Sequence, residues 1–419
     1  MIGGTKRMCE EFVLSNGLRV VAEPIENFPS VSVGLWIGAG SMYESAEENG
    51  LSHFVEHILF KSTERRTTKD IAVEMDALGG QVNAFTAKEC TCYYAKVIAE
   101  HLPRAMDLLC DMLLNARVDE AEFEKERGVI LEEIAMCEDT PEDLVFELLM
   151  LAHYGDQPVA RPILGTEASV SALTREHITN YMRRMYRPEC AVLALAGNYN
   201  WNEVVKQAEA LYGGWQPTGE KRPLIETNAV APRVMRRKKD IEQLHLCLGF
   251  PSCGIGAADV YPTAVFNSAY GGAMSSRLFQ TIREERGMAY SVYSYPNPMS
   301  GTGVLAVYAG TSPEHASEVV RMLNEETKKL AEGGLTEKEF KQAKEQLLSG
   351  FILGQESTSS RMNAIGRRLL LLGDTQTDED VVEKIRGITF EGVNALARRV
   401  LTSPRSAAIV GNGAEDVEI

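Results

Sequence analysis

The chain has 419 residues, 44% of them hydrophobic and 24% charged. This is ordinary globular usage, which excludes wholesale disorder and collagen-like architecture, and at about 100–200 residues per domain it allows two or three domains. The 43 basic and 59 acidic residues leave a net charge of −16, the opposite of a general nucleic-acid binder's footprint.

The opening stretch, residues 1–9, carries basic residues but no apolar core behind them, because Glu10 and Glu11 follow at once. It reads as neither a secretory signal nor a transit peptide. No apolar run approaches 18 residues, so no membrane-spanning helix is expected. Leu18–Glu23 and Ser30–Gly38 read as strands, with Asn16-Gly17 marking a turn. Asn49–Lys61 and Thr68–Leu78 read as helices, the second ended by Gly79-Gly80. Strands are expected at Val82–Phe85, Thr91–Ile98 and Cys190–Gly197, and helices at Leu102–Asn115, Asp119–Glu138, Glu142–His153, Arg175–Met185 and Trp201–Tyr212. Between Gly213 and Arg233 the periodicity stops amid Gly, Pro and polar residues, the composition of a linker.

After that stretch the order begins again. His245–Gly249, Met288–Ser294 and Gly303–Ala309 read as strands, and Tyr261–Ala269, Ser276–Arg286, Pro313–Gly333 and Glu337–Gly354 as helices. Val118–Phe123 aligns with Leu335–Phe340 at an offset of 217, and the helix at His101–Leu113 aligns with Pro313–Glu325 at 212. A duplicated unit is the reading that accounts for both. The expected class is α+β: two structurally related α/β-roll halves, each a mainly antiparallel sheet packed with helices. The expected division is residues 1–215, a linker at 216–233, and a second copy at 234–419.

His53-Phe54-Val55-Glu56-His57 carries the chemistry. On a helix, positions i and i+4 fall about 40° apart, so both imidazoles project together with Glu56 at their edge. Two such imidazoles suit a zinc ion, and the carboxylate beside them can take a proton from a water the metal activates. Composition alone would produce the pattern H-x-x-[DE]-H about 0.016 times in this chain. The eight cysteines include no Cys-x-x-Cys pair and sit mostly among apolar neighbours, as reduced thiols do, so they suggest no thiolate zinc site.

A third ligand is expected from Asp119–Glu138, which opens on an Asp-x-x-Glu capping signature at Asp119 and Glu122. Its stripe at heptad spacing is Phe123, Glu126, Ile130, Glu133 and Cys137, which places two carboxylates on a core-facing side. Buried carboxylates need partners. Glu133 is the expected third ligand, Glu126 the carboxylate that orients an imidazole, and Glu132 points about 100° away. Under the offsets above, Glu126 and Glu133 fall opposite Ala343 and Gly350, and the histidine pair falls near Val265–Ala269, so only the first half is expected to bind metal.

His53-x-x-Glu56-His57, with a glutamate 76 positions after the second histidine, resembles the inverted zinc-peptidase (inverzincin) signature. Over nearly its whole length the chain is similar to the insulinase, pitrilysin and mitochondrial-processing-peptidase family, in its half-length bacterial branch. The second half carries Gly271–Phe279 followed by Arg283-Glu-Glu-Arg-Gly-Met-Ala-Tyr290, which resembles the family's other hallmark. The resemblance implies that Arg283 holds substrate carbonyls and that Tyr290 helps stabilise the developing oxyanion. It also implies that the strand around Asn83, Ala84 and Phe85 lies exposed for an extended substrate. The implied function is zinc-dependent endopeptidase activity with one Zn2+ per chain, in a chamber closed by paired two-domain bodies. A homodimer in the bacterial cytoplasm acting on peptides is expected, with no nucleic acid and no membrane insertion. The acidic charge favours basic peptides among the substrates, although solubility alone accounts for it. Two alternatives stay open: a subunit active only beside a motif-less paralogue, and a non-catalytic structural subunit of the same fold.

Overall fold

The computed structural model describes residues 9–220, 222–223 and 225–419. Residues 1–8 of the stretch read for targeting signals, and Lys221 and Leu224 of the expected linker, lie outside the described residues. The first half of the chain runs β1 (Glu10–Val13), β2 (Arg19–Pro24), β3 (Ser30–Ile37), α1 (Leu51–Leu59), α2 (Thr68–Ala77), β4 (Gln81–Thr86), β5 (Thr91–Ile98) and α3 (Leu102–Leu114). It continues through α4 (Glu120–Asp139), α5 (Pro141–Tyr154), α6 (Glu167–Ala172), α7 (Arg175–Met185), β6 (Ala191–Gly197) and α8 (Trp201–Tyr212). The second half runs β7 (Val234–Arg237), β8 (Leu244–Pro251), α9 (Val260–Asn267), β9 (Ser291–Met299), β10 (Thr302–Thr311), α10 (Ala316–Gly333) and α11 (Glu337–Gly354). It closes with α12 (Thr358–Leu372), α13 (Asp378–Arg386), α14 (Phe390–Leu401) and β11 (Ser406–Val410).

Two sheets form among the described residues, in the orders β1-β2-β6-β3-β5-β4 and β7-β11-β8-β10-β9. With β1 set aside, they superimpose in topology. β2–β6 and β7–β11 are the parallel pairs, and every other neighbouring pair is antiparallel. The α+β class and the duplicated architecture are therefore those of the molecule. No helix among the described residues is long and apolar enough to cross a membrane.

The compact units are not consecutive stretches of chain. The first comprises residues up to Ile134, Pro162–Ile225 and Leu353–Asp380; the second comprises Ala135–Arg161, Glu226–Ile352 and Val381–Ile419. The expected linker divides at residue 225, and two helices are exchanged. Helix α12, from the second half, covers one face of the first sheet, where Met362, Ile365, Leu369 and Leu370 pack on Trp36, Val192 and Ala194. Helix α5, from the first half, covers one face of the second sheet, where Leu144, Val145, Leu148 and Leu149 pack on Cys247, Ala306 and Ala408. An amphipathic stripe records that a helix covers an apolar surface, not which sheet supplies it.

Local differences from the expected elements have local causes. The strand expected at Met288–Ser294 starts at Ser291 and runs on through Pro296 and Pro298 to Met299. Prolines are tolerated there because β9 is an edge strand. Ser276–Arg286 contains a wide π-helical turn at Phe279–Glu284 rather than a continuous α-helix. The capping box expected at Asp119 and Glu122 does not form, because the Asp119 carboxylate accepts instead from Ser62 Oγ and Arg117, each at 2.9 Å.

Candidate active site

The segment Glu44–Leu59 builds the first wall. Gly50 caps α1 with φ of 97°, and a Cβ there would lie 2.6 Å from the Leu164 carbonyl oxygen, so glycine is required on both counts. The buried Glu44 carboxylate accepts from the amides of Gly50 at 2.8 Å and Ser52 at 2.6 Å, satisfying donors at the helix start that have no partner within the helix. Leu51, Phe54, Val55, Ile58 and Leu59 are buried, which leaves His53, Glu56 and His57 on the half-buried side. The Phe54 ring stacks on Phe123 of α4, with centroids 4.7 Å apart, and holds the two helices in register.

Helix α4 supplies the second wall. Phe123, Glu126 and Ile130 are buried, whereas the Glu133 side chain keeps 37% of its exposure and Glu132 faces solvent. Nε2 of His53 and Nε2 of His57 each lie 3.6 Å from Oε2 of Glu133. Glu126 Oε2 lies 3.1 Å from His57 Nδ1, and Glu126 Oε1 lies 2.8 Å from Lys61 Nζ. With Nδ1–H donating to Glu126, the His57 Nε2 lone pair faces the other two donors.

His53, His57 and Glu133 each present one ligand atom, and the three atoms lie within 4.8 Å of one another. Zinc bonds of about 2.0–2.1 Å at a tetrahedral angle place ligand atoms about 3.3–3.4 Å apart. The observed 3.6 Å is close to that edge length, and long for a hydrogen bond. Burial pushes the His53 imidazole down to about 4, with the neighbouring His57 adding to the effect, so the ring is neutral and its lone pair available. Two imidazoles and one carboxylate, the first imidazole turned by α1 and the second fixed by a buried carboxylate, fit a zinc ion.

Glu56 lies beside this trio, and its Oε2 accepts from Thr86 Oγ1 at 2.5 Å. Burial pushes the Glu56 carboxyl above the usual range, Glu133 adds to the rise, and the Thr86 bond and His57 oppose it. Thr86 ends β4, one of the two edge strands of its sheet. The Ala87 amide donates to the Cys90 carbonyl in the β4–β5 register, so the odd residues of β4 bond to β5, and Val82, Ala84 and Thr86 turn their amides and carbonyls to the free edge. The Ala84 amide donates to the Asn83 side-chain oxygen at 2.9 Å. Phe85 points to the opposite face, edge-on to Trp36.

Arg283 and Tyr290 lie together in the second unit. The guanidinium sits 5.0 Å from the Phe279 ring centroid and 5.5 Å from that of Tyr290, a residue 74% exposed. The first unit thus gathers His53, Glu56, His57, Glu126, Glu133 and the Asn83–Phe85 strand, and the second holds Arg283 with Tyr290. Sequence reasoning missed Glu44, Lys61 and Thr86. A carboxylate shortly before a helix start was a readable signal for Glu44. Lys61 and Thr86 meet their partners only through tertiary contact.

Residues 19–167 match the family described as insulinase (peptidase family M16), and residues 172–347 match the peptidase M16 inactive domain. An uncharacterized zinc protease of Bacillus subtilis is 40% identical over 96% of this chain and 98% of its own. One from Mycobacterium tuberculosis is 42% identical over 95% of this chain and 92% of its own. The fold is similar to a Helicobacter pylori protease, with a TM-score of 0.92 at 21% identity, covering 97% of this chain and all of the other. It is also similar to a peptidase M16 inactive domain from Pseudomonas fluorescens, with a TM-score of 0.87 at 19% identity over 97% and 98% of the two chains. With close sequence relatives along nearly its full length and both family regions matched in order, the chain belongs to the insulinase family of peptidases, M16.

Proposed function

We propose that the protein is a zinc-dependent endopeptidase of the HxxEH type that hydrolyses peptides or short unfolded polypeptides. The observation that carries this reading is the meeting of His53 and His57 with Glu133, each imidazole Nε2 3.6 Å from Glu133 Oε2 and all three ligand atoms within 4.8 Å of one another, with Glu56 alongside. The zinc-protease names of the relatives support it. Zinc, when bound by the trio, supplies Lewis-acid polarisation of the attacking water and of the scissile carbonyl. Glu56 takes the proton from that water and delivers it to the leaving amine. Thr86 fixes which Glu56 oxygen is free to do so, and Glu126 keeps His57 turned toward the trio.

The outward amides and carbonyls of Val82, Ala84 and Thr86 bind an extended peptide by strand addition, which reads backbone and tolerates varied side chains. Arg283 grips substrate carbonyls and Tyr290 stabilises the oxyanion, roles that rest on the resemblance of their motif to the family's. One zinc per chain, a homodimer enclosing its substrate in a chamber, a cytoplasmic setting and a preference for basic peptides complete the reading. The test is Glu56→Gln. Zinc content stays at the wild-type level while peptide hydrolysis falls by about 10²–10⁴-fold. A variant that still cleaves at the wild-type rate removes Glu56 as the base.

A further inference from the structure

We infer that Lys61 is a positioning residue for the metal centre, fixing the Glu126 carboxylate that in turn orients His57. The inference rests on the zinc-peptidase reading above. Glu126 has two oxygens with two different partners: Oε1 lies 2.8 Å from Lys61 Nζ, and Oε2 lies 3.1 Å from His57 Nδ1. Its side chain is only 4% exposed, so solvent contributes little to holding it. A buried carboxylate anchored at one oxygen cannot rotate the other away from the imidazole without breaking a charge-assisted bond. Remove the ammonium, and the same carboxylate is an uncompensated buried charge, free to release His57 or to swing toward the cation itself.

The backbone around Lys61 is built to deliver that ammonium. The Lys61 amide donates to the Ile58 carbonyl at 3.0 Å, continuing the last turn of α1. The next residues are pinned to the approach of α4. Arg117 donates its amide to the Ser62 carbonyl at 2.8 Å, Ser62 Oγ donates to Asp119 at 2.9 Å, and the Glu64 amide reaches the Asn115 carbonyl at 2.9 Å. The residues that follow α1 therefore clamp the helix bearing His53 and His57 to the helix bearing Glu126 and Glu133. Lys61 is the member of this clamp whose charge touches the metal-orienting carboxylate.

The experiment titrates the full-length apo protein with zinc ion against a chromophoric chelator, in wild type, Lys61→Met, Lys61→Arg, Glu126→Gln and the Lys61→Met/Glu126→Gln double variant. Methionine keeps the aliphatic stem, so a packing role alone predicts no change. Loss of the ammonium is expected to weaken zinc binding about 10–100-fold, and Arg to restore most of it. In the Glu126→Gln background, Lys61→Met is expected to add nothing, because the two act as one unit. Wild-type affinity in a folded Lys61→Met, or effects that simply add in the double variant, overturns the inference. If Lys61→Met does not fold, Lys61→Gln takes its place. Failure of both to fold makes the residue structural and also overturns it. A wild-type chain that binds no zinc sinks the peptidase reading instead, which keeps the two failures distinct.

Discussion

The two units use one strand order to different ends. In the first, α1 and α4 carry two histidines and three carboxylates into one site. In the second, the aligned positions are Val265–Ala269, Ala343 and Gly350, and no metal-ligating trio forms there among the described residues. The helix starts differ in a matching way. At α11, Thr336 and Glu339 make the reciprocal capping box, with the Thr336 amide donating to Glu339 at 2.7 Å and the Glu339 amide to Thr336 Oγ1 at 3.2 Å. At the aligned Asp119, the carboxylate is drawn away to Ser62, in the segment that follows α1. The unit with the chemistry gives up a local cap for a tie between its two ligand-bearing helices; the unit without it keeps the cap.

The edge strands repeat the contrast. On β9, the bond from the Ser252 amide to the Gly303 carbonyl sets the β10 register, and residues 292, 294, 296 and 298 face outward. Two of these are Pro296 and Pro298, which have no amide hydrogen, and a Cβ added at Gly271 would sit 2.7 Å from the Ser294 nitrogen. On β4 no proline occurs, and all three outward residues keep their donors. One sheet edge is fit to accept a strand and the other is closed to it.

The largest expected effect comes from removing what only the first unit has. Glu133→Ala leaves two imidazoles and an open shell. Zinc content after gel filtration is expected to fall toward zero, and peptide hydrolysis to drop by about a hundredfold or more. Retention of stoichiometric zinc would move the third ligand elsewhere and erase the main difference between the units. Second in size is Glu339→Gln, which strikes what the second unit keeps. Burial raises the Glu339 carboxyl, but bonds from Arg277 and Thr336 outweigh it and hold the group at about 2, against an ordinary 4.5. As pH falls, the unfolded chain therefore takes up this proton first. The stabilisation is complete above about 4.5 and lost toward 2. Glu339→Gln is expected to cost about 1.5–3 kcal/mol near neutral pH, and to flatten the acid limb of a thermal-unfolding series across that window. An unchanged acid limb would assign the acid sensitivity to other carboxylates.

How much of this was legible in the sequence follows from the range of each interaction. The histidine pair and Glu56 sit on one helical turn, so spacing alone groups them. Glu126 and Glu133 were readable because carboxylates at core spacing on a helix conflict with the apolar pattern. Thr86 and Lys61 carry no such conflict; each is an ordinary strand or loop residue until the fold brings α1 beside β4 and α4. The exchange of α5 and α12 was invisible for the same reason, since Leu144–Leu149 would cover either sheet equally well. The capping signature reads at Asp119, where Ser62 and Arg117 take the carboxylate; the box forms at Thr336, where Arg277 binds the Glu339 carboxylate without displacing the Thr336 amide from it.

A smaller effect tests the edge strands. Ala84→Pro removes the outward donor in the middle of β4 without touching its bonds to β5, and the neighbouring strand conformation already suits the residue before a proline. One hydrogen bond to substrate is worth about 0.5–1.5 kcal/mol, so kcat/KM for an extended peptide is expected to fall about 2- to 12-fold, mainly through KM. Pro296→Ala, which restores a donor on the other sheet, leaves it unchanged. Equal losses from both variants would remove the distinction between the edges.

The smallest effect uses a glycine that each aligned helix carries. Gly128 lies in α4 between Glu126 and Glu133, and Gly350 lies near the end of α11; both are exposed, and an added Cβ at either meets no atom within 4 Å. Alanine at either position is expected to stabilise the helix by about 0.5–1 kcal/mol, because glycine pays more backbone entropy on folding. The unfolding temperature should then rise by about 1–4 °C. Zinc affinity separates the two helices. If α4 is already held by the Phe54 stack, the Lys61 bond and the Ser62 bond, Gly128→Ala leaves affinity unchanged, just as Gly350→Ala must. If Gly128→Ala alone alters zinc binding, the ligand helix bends at that glycine to close on the ion, and rigidity in the first unit is supplied by the metal rather than by the clamp.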